Sequence, residues 1–364
     1  MTPASREDFA RRFPLVPRGR PACHRLDVRV RQVADLADAA PHDPAEAARI
    51  AAEAHNLGAL IASDCGLPSL ARDLCWRQFH VFRDAQPFDA TTAKLALQPL
   101  VNLGRLLARD GNGTAAHRLI ETLFTAVCHQ STVTLDDTIA DLGNLTRTPD
   151  DHREIVQWLW TVLLADGTRA LTQAGNWSQA LQHVQDHHGI GQSLLDGRQI
   201  AIIAHHAAGD HRTSARLLTE TITPTPWEQT VAACLAALTG NDNGNTARMV
   251  DNYLAIGGPP AQVVFRTRLG LAVLDLTDDR FAPLLAHTIE TDVRQSRDAY
   301  AAREILAHTG CASFIPASTS RALTRLVDSS GLGAGTIPSE ILDQFTLAMT
   351  TAEASLSEAL SVTT

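Results

Sequence analysis

Apolar residues recur at helical steps along most of the chain. In the stretch 100–123, LVNLGRLLARDGNGTAAHRLIETL, Leu100, Leu103, Gly104 and Leu107 fall on one stripe, and Ala116, Ile120 and Leu123 fall on another. Gly111-Asn112-Gly113 separates the two stripes. Glycine takes the positive φ that ends a helix at little steric cost. The pattern therefore predicts two antiparallel helices. They should meet where Gly104 faces Ala116, because both are small enough to let the backbones approach.

The hairpin recurs with decay. Asn56-Leu57-Gly58, Ile61, Gly66 and Ala71 form an earlier copy, and Leu164, Leu171, Gly175-Asn176-Trp177 and Ala180 form a later one. Gly209-Asp210-His211 begins 34 residues after Gly175, and Gly240 lies 31 after Gly209. Weaker hairpins are expected over 226–256, 261–293 and 295–327, with a last helix over 338–360. Gly111 and Gly175 are 64 residues apart, too far for one hairpin. The surplus is the segment 131–151. There Thr132–Leu135 and Thr138–Asp141 alternate about Asp136-Asp137, which predicts a small inserted β-hairpin or ordered loop.

These hairpins resemble the tetratricopeptide repeat, whose pattern runs W-x2-L-G-x2-Y, then A-x3-F, then P. Leu100 stands at the tryptophan, Leu107 at the tyrosine and Ile120 at the phenylalanine, while the closing proline is missing. The resemblance covers 44–240 and fades beyond. It implies an all-α, right-handed, TPR-like solenoid of helical hairpins carrying the 131–151 insertion. The corresponding division is an N-terminal arm and first helix (1–43), the repeats (44–256), and degenerate hairpins with a C-terminal capping helix (257–364).

The resemblance also implies a function. In such folds the first helix of each hairpin lines a concave groove that binds a protein or peptide segment. In this register the groove residues are Asn56, Asn102, Arg105, Arg109, Asp166 and Arg169. Asn102, Arg105 and Arg109 are spaced i, i+3, i+7 and share a helical face. Asparagine both donates to and accepts from a peptide backbone, and arginine grips carboxylates through two nitrogens. The implied role is non-catalytic and regulatory, or accessory to a biosynthetic pathway, as in the stand-alone relatives of repeat domains of actinobacterial regulators.

Composition narrows the picture. Hydrophobic residues at 45% and charged residues at 20% describe a globular protein, and the net charge of −9 argues against a general nucleic-acid surface. Lys94 is the only lysine among 31 basic residues; with the abundant alanine, this points to a GC-rich genome such as an actinobacterium's. Six scattered cysteines include no CxxC pair. The N-terminal stretch has no apolar signal core, and no apolar run is long enough for a bilayer. A cytoplasmic protein with reduced thiols and no membrane contact is expected.

The remaining chemistry is sparse. Asp136, Asp137 and Asp141 spell DDxxxD, as in the Mg²⁺-diphosphate motif of all-α terpene cyclases. Aromatic residues are only 5%, and no second N-x-x-x-S-x-x-x-E motif follows, so a turn is the better reading. His183, His187 and His188, then His205, His206 and His211, form a cluster in sequence; His183 and His187 have the i,i+4 spacing of metal ligands. No acidic residue is interposed as in H-E-x-x-H, and Asp186-His187-His188-Gly189 looks like a helix end. Histidines at helix C-termini complement the dipole, so no metal or cofactor is expected. GLGAGT (331–336) lacks a P-loop lysine and reads as a linker. Arg6, Arg11, Arg12, Arg18 and Arg20, among Pro14, Pro17 and Pro21, read as a flexible or loosely packed arm. The rival function is an enzyme or small-molecule binder. Its site would join the 131–151 insertion to the histidines of 183–211, through Asp136, Asp137, His183, His187 and His206.

Overall fold

The computed structural model describes residues 9–39, 41–240, 246–277 and 279–363. It is mostly helical, with one two-stranded sheet among the described residues. No helix among them is long and apolar enough to cross a membrane. The chain forms two compact units: Arg25–Ala170 with Gly331–Thr364, and Met1–His24 with Leu171–Ser330. These cut across the three segments expected from sequence, since the last helix joins the first hairpins and the N-terminal arm joins the later ones.

The first unit holds α1 (Leu26–Ala37), α2 (Pro44–Asp64), α3 (Pro68–Arg83), α4 (Ala90–Arg109), α5 (Gly113–Cys128) and α6 (Pro149–Val162). Their starts follow from sequence. The Asp43 and Asp89 side chains accept from the Glu46 and Thr92 amides, and proline occupies the first turn of α2, α3 and α6. Helices α4 and α5 form the expected hairpin, with Leu100, Leu103, Ile120 and Leu123 buried. Gly111 turns the chain at φ +80°, and the Asn112 carboxamide caps α5 through the Ala115 amide. A Cβ on Gly104 would lie 2.7 Å from Ile120 Cγ1 and 3.6 Å from the Ala116 carbonyl oxygen. The glycine is thus what permits the close crossing.

The insertion is a β-hairpin. β1 (Thr132–Leu135) pairs antiparallel with β2 (Thr138–Asp141), Thr132 opposite Asp141 and Leu135 opposite Thr138. Asp136 and Asp137 both have positive φ, 51° and 61°, as a two-residue hairpin turn requires.

The C-terminal helix Ser339–Thr363 packs on α1, α2 and α3. Its buried face is Phe345, Ala348, Met349, Ala352, Leu356, Ala359 and Leu360, an unbroken helical stripe. Helix α2 meets it with small residues, and a Cβ on Gly58 would collide with Met349 Sδ at 2.2 Å. The glycine loop before this helix is stitched to the end of α2: the Gly333 amide donates to the Asp64 carbonyl and the Gly335 amide to the Cys65 carbonyl, both at 2.7 Å. GLGAGT is therefore a linker that satisfies helix-terminal carbonyls.

The second unit contains α7 (Trp177–Asp186), α8 (Asp196–Ala207), α9 (His211–Thr219), α10 (Pro226–Leu238), α11 (Thr246–Leu254), α12 (Val263–Leu276), α13 (Ala282–Ser296), α14 (Ala299–Ala307) and α15 (Ala317–Ser329). The weak hairpins expected after residue 226 are thus present as helix pairs. Helix α12 is buried on nearly every face, with Val263, Val264, Phe265, Leu269, Leu271, Ala272, Val273 and Leu274 all in the core.

The N-terminal arm departs from expectation. It is not loose: Phe9, Phe13, Leu15 and Cys23 are each at most 2% exposed within the second unit. Its prolines and arginines mask this in sequence, because prolines prevent helix without preventing burial and the arginines find partners. Arg12 pairs with Asp275 at 2.8 Å, and Arg18 donates to Asp196 at 2.9 Å. Arg6 lies outside the described residues.

Candidate functional site

The helical repeat of α4 sets its leucines inward and presents Gln98, Asn102, Arg105 and Arg109 on a partly exposed face. The structure joins four of the six expected groove residues into one chain of hydrogen bonds within the first unit. Asn102 Nδ2 donates to Asn56 Oδ1 on α2 at 2.9 Å. Asn102 Oδ1 accepts from Arg105 Nη1 at 3.1 Å and from Gln98 Nε2 at 3.3 Å. Arg105 Nε and Nη2 reach Asp166 Oδ2 at 2.9 and 2.8 Å.

Asp166 sits in an unusual place. Residues Leu163–Gly167, directly after α6, form a π-helical turn. Single π-turns are rare and occur frequently at functional sites, because the wider turn re-aims its side chains. Here it carries Asp166 at the end of the ladder.

Arg109 belongs to a neighbouring set. Its Nη1 donates to Ser63 Oγ at 2.9 Å and approaches Asp64 Oδ1 at 3.4 Å. Asp64 is also held by the buried Arg29 of α1 at 2.5 Å. One carboxylate thus lies between two guanidinium groups. Arg169 is half-buried, one turn beyond Asp166 in the short helix Thr168–Gln173.

The face remains open. The Arg105 side chain is 42% exposed and that of Arg109 37%. The Asn102 amide keeps a second hydrogen, and the two Asn56 amide hydrogens meet no acceptor among the described residues. The arrangement can donate several hydrogen bonds from side chains already fixed by one another. It contains no nucleophile poised beside a base.

The residues of the rival site do not assemble within either unit. Asp136 and Asp137 lie in the first, where Asp136 pairs with Arg72 at 2.9 Å. Asp141 Oδ1 accepts from the Gly143 amide and from Thr132 Oγ1, so it serves the hairpin. His183, His187 and His206 lie in the second unit. The His183 and His187 rings are 4.9 Å apart at the end of α7, and His206 and His211 approach through their Nδ1 atoms at 3.1 Å. His183, His205 and His206 all occupy last turns of helices, as the dipole argument expects.

Four residues of the polar face escape the sequence reading: Gln98, Ser63, Asp64 and Arg29. Gln98 could have been found, being one turn before Asn102 on the same face. Asp64 looks like an ordinary helix-end residue, and Arg29 becomes relevant only through tertiary packing.

All six cysteines are free, and burial raises the thiol pKa values of Cys65 to about 11 and of Cys75 to about 12. Such thiols are poor nucleophiles. Comparisons with protein-family models, with curated proteins and with solved structures find no match to this chain.

Proposed function

We propose that this chain is a non-catalytic scaffold, a tetratricopeptide-like solenoid, that binds a protein or peptide segment on the face of Asn56, Asn102, Arg105 and Asp166. One observation carries the reading. Residues from two hairpins and a π-helical turn, chosen by repeat register, meet in one partly exposed hydrogen-bonded ladder. Side chains held by one another lose little freedom when a ligand arrives, which favours binding. The remaining amide and guanidinium hydrogens suit the carbonyls and carboxylates of a peptide. A regulatory or biosynthetic-accessory role in the cytoplasm accords with a binding face that carries no reactive group.

The test uses peptides selected by display on the full chain. Those bound at this face should lose at least tenfold in affinity with Arg105→Ala/Arg109→Ala, the loss of one charge-assisted hydrogen bond being about 1.5–3 kcal/mol. The melting temperature should change little. Unchanged affinity for every selected peptide overturns the reading.

A further inference from the structure

The N-terminal arm of the second unit is held the way a bound peptide is held. Residues 13–25 lie in no helix or strand. Leu15 is gripped at both backbone groups by one side chain: its amide donates to Gln199 Oε1 at 2.8 Å, and Gln199 Nε2 donates to its carbonyl at 2.9 Å. Three residues on, the Arg18 guanidinium reaches both carboxylate oxygens of Asp196. The Arg20 amide donates to the Ala261 carbonyl at 3.1 Å, and its guanidinium lies 3.7 Å over the Tyr300 ring. Cys23 is again held at both backbone groups. Its amide donates to Asp298 Oδ2 at 2.9 Å, and its carbonyl accepts from the Ala299 amide at 2.8 Å.

We infer that the second unit contains a groove for an extended peptide, filled in cis by residues 13–23, and that a protein segment with the same Leu-x-x-Arg-x-Arg pattern can replace the arm in trans. The groove reads main chain at two positions and side-chain chemistry between them. That division is how extended-peptide sites combine affinity with specificity. Gln199, Asp196 and Asp298 are at most 4% exposed. An empty groove would take Leu15 from the Gln199 carboxamide oxygen, Arg18 from Asp196 and the Cys23 amide from one oxygen of Asp298, while Gln199 keeps Leu194 and Asp298 keeps Ala301. Losing those buried bonds favours exchange of one occupant for another over an empty groove. The tether gives the cis segment an effective concentration on the order of millimolar, which accounts for its occupancy. A trans ligand must compete with that. The groove is independent of the ladder on α4.

The experiment places a protease site between His24 and Arg25 of the full chain, cuts it, and adds a fluorescent peptide of residues 9–24. The cut arm should stay bound until the labelled peptide exchanges for it at one per chain, with circular dichroism unchanged. Unlabelled peptide should compete, and a peptide carrying Arg18→Glu should bind at least tenfold more weakly. Arg105→Ala in the chain should leave exchange unaltered; a loss there would assign the peptide to the ladder and overturn the inference. A cut arm that never exchanges, or whose departure unfolds the unit, also overturns it. If the inserted site prevents folding, Leu15→Asp in the uncut chain decides. Labelled-peptide binding should rise at least tenfold over wild type, and no rise refutes the groove.

Discussion

Arg105 holds Asp166 through two nitrogens, at 2.9 and 2.8 Å, across 61 residues of sequence. The contact ties α4 to the π-helical turn after α6. It is well formed but open to solvent. A pair this exposed contributes only about 0–1 kcal/mol. Its geometry is therefore better explained by what it holds in position than by what it adds to stability.

Asp166→Ala should accordingly lower stability by no more than about 1 kcal/mol, measured by urea unfolding. A loss several times larger would make the pair a structural element and remove the argument for a binding face.

Gly104→Leu should behave in the opposite way. Its Cβ alone would stand 2.7 Å from Ile120 Cγ1. Overpacking of this kind typically costs about 1–3 kcal/mol. A melting temperature equal to wild type would contradict the crossing of α4 and α5.

The two arginines on Asp64 separate burial from contact. Arg29 and Asp64 are both almost fully buried, whereas Arg109 is over a third exposed. Removing Arg29 takes the buried partner from Asp64 and leaves it only the more exposed Arg109 at 3.4 Å. Breaking a buried pair costs up to about 3–5 kcal/mol. Arg109→Ala should cost under about 1 kcal/mol. Parallel denaturant titrations should show this ranking, and equal losses would refute it.

Acid should loosen the first unit through His55. This side chain of α2 is fully buried, and neither ring nitrogen has a hydrogen-bond partner among the described residues. Burial lowers its pKa from 6.5 to about 4, with Glu353 opposing and Arg77 reinforcing the shift. The folded ring stays neutral while the unfolded ring takes a proton below pH 6.5. Stability is therefore complete above that pH and falls as pH drops toward 4, by about 3 kcal/mol at 1.36 kcal/mol per unit. His55→Leu should flatten the slope between pH 6.5 and 4. A slope identical to wild type would show that other groups cause it.

Local patterns were legible in the sequence wherever one short stretch determines the outcome. The α4–α5 hairpin, the close contact at Gly104 and the strand pair about Asp136-Asp137 all follow from spacing and turn chemistry. Asn56, Asn102 and Arg105, which the resemblance groups on one face, are joined by hydrogen bonds. What stayed hidden depends on distant partners. The π-helical turn at Leu163–Gly167 has no proline to announce it. The arm looked solvated because Gln199, Asp196 and Asp298, which hold it, are more than 170 residues away. Nothing near Phe345 or Met349 says that their helix completes the first unit.

That last placement governs synthesis. Helix α2 leaves the ribosome long before Ser339–Thr363, the helix that packs along it. The glycine loop that satisfies the Asp64 and Cys65 carbonyls arrives equally late. The first unit therefore stays open while more than half of the chain is still being made. Its nascent form exposes an apolar seam to chaperones, and a chain broken off before residue 339 can never close it.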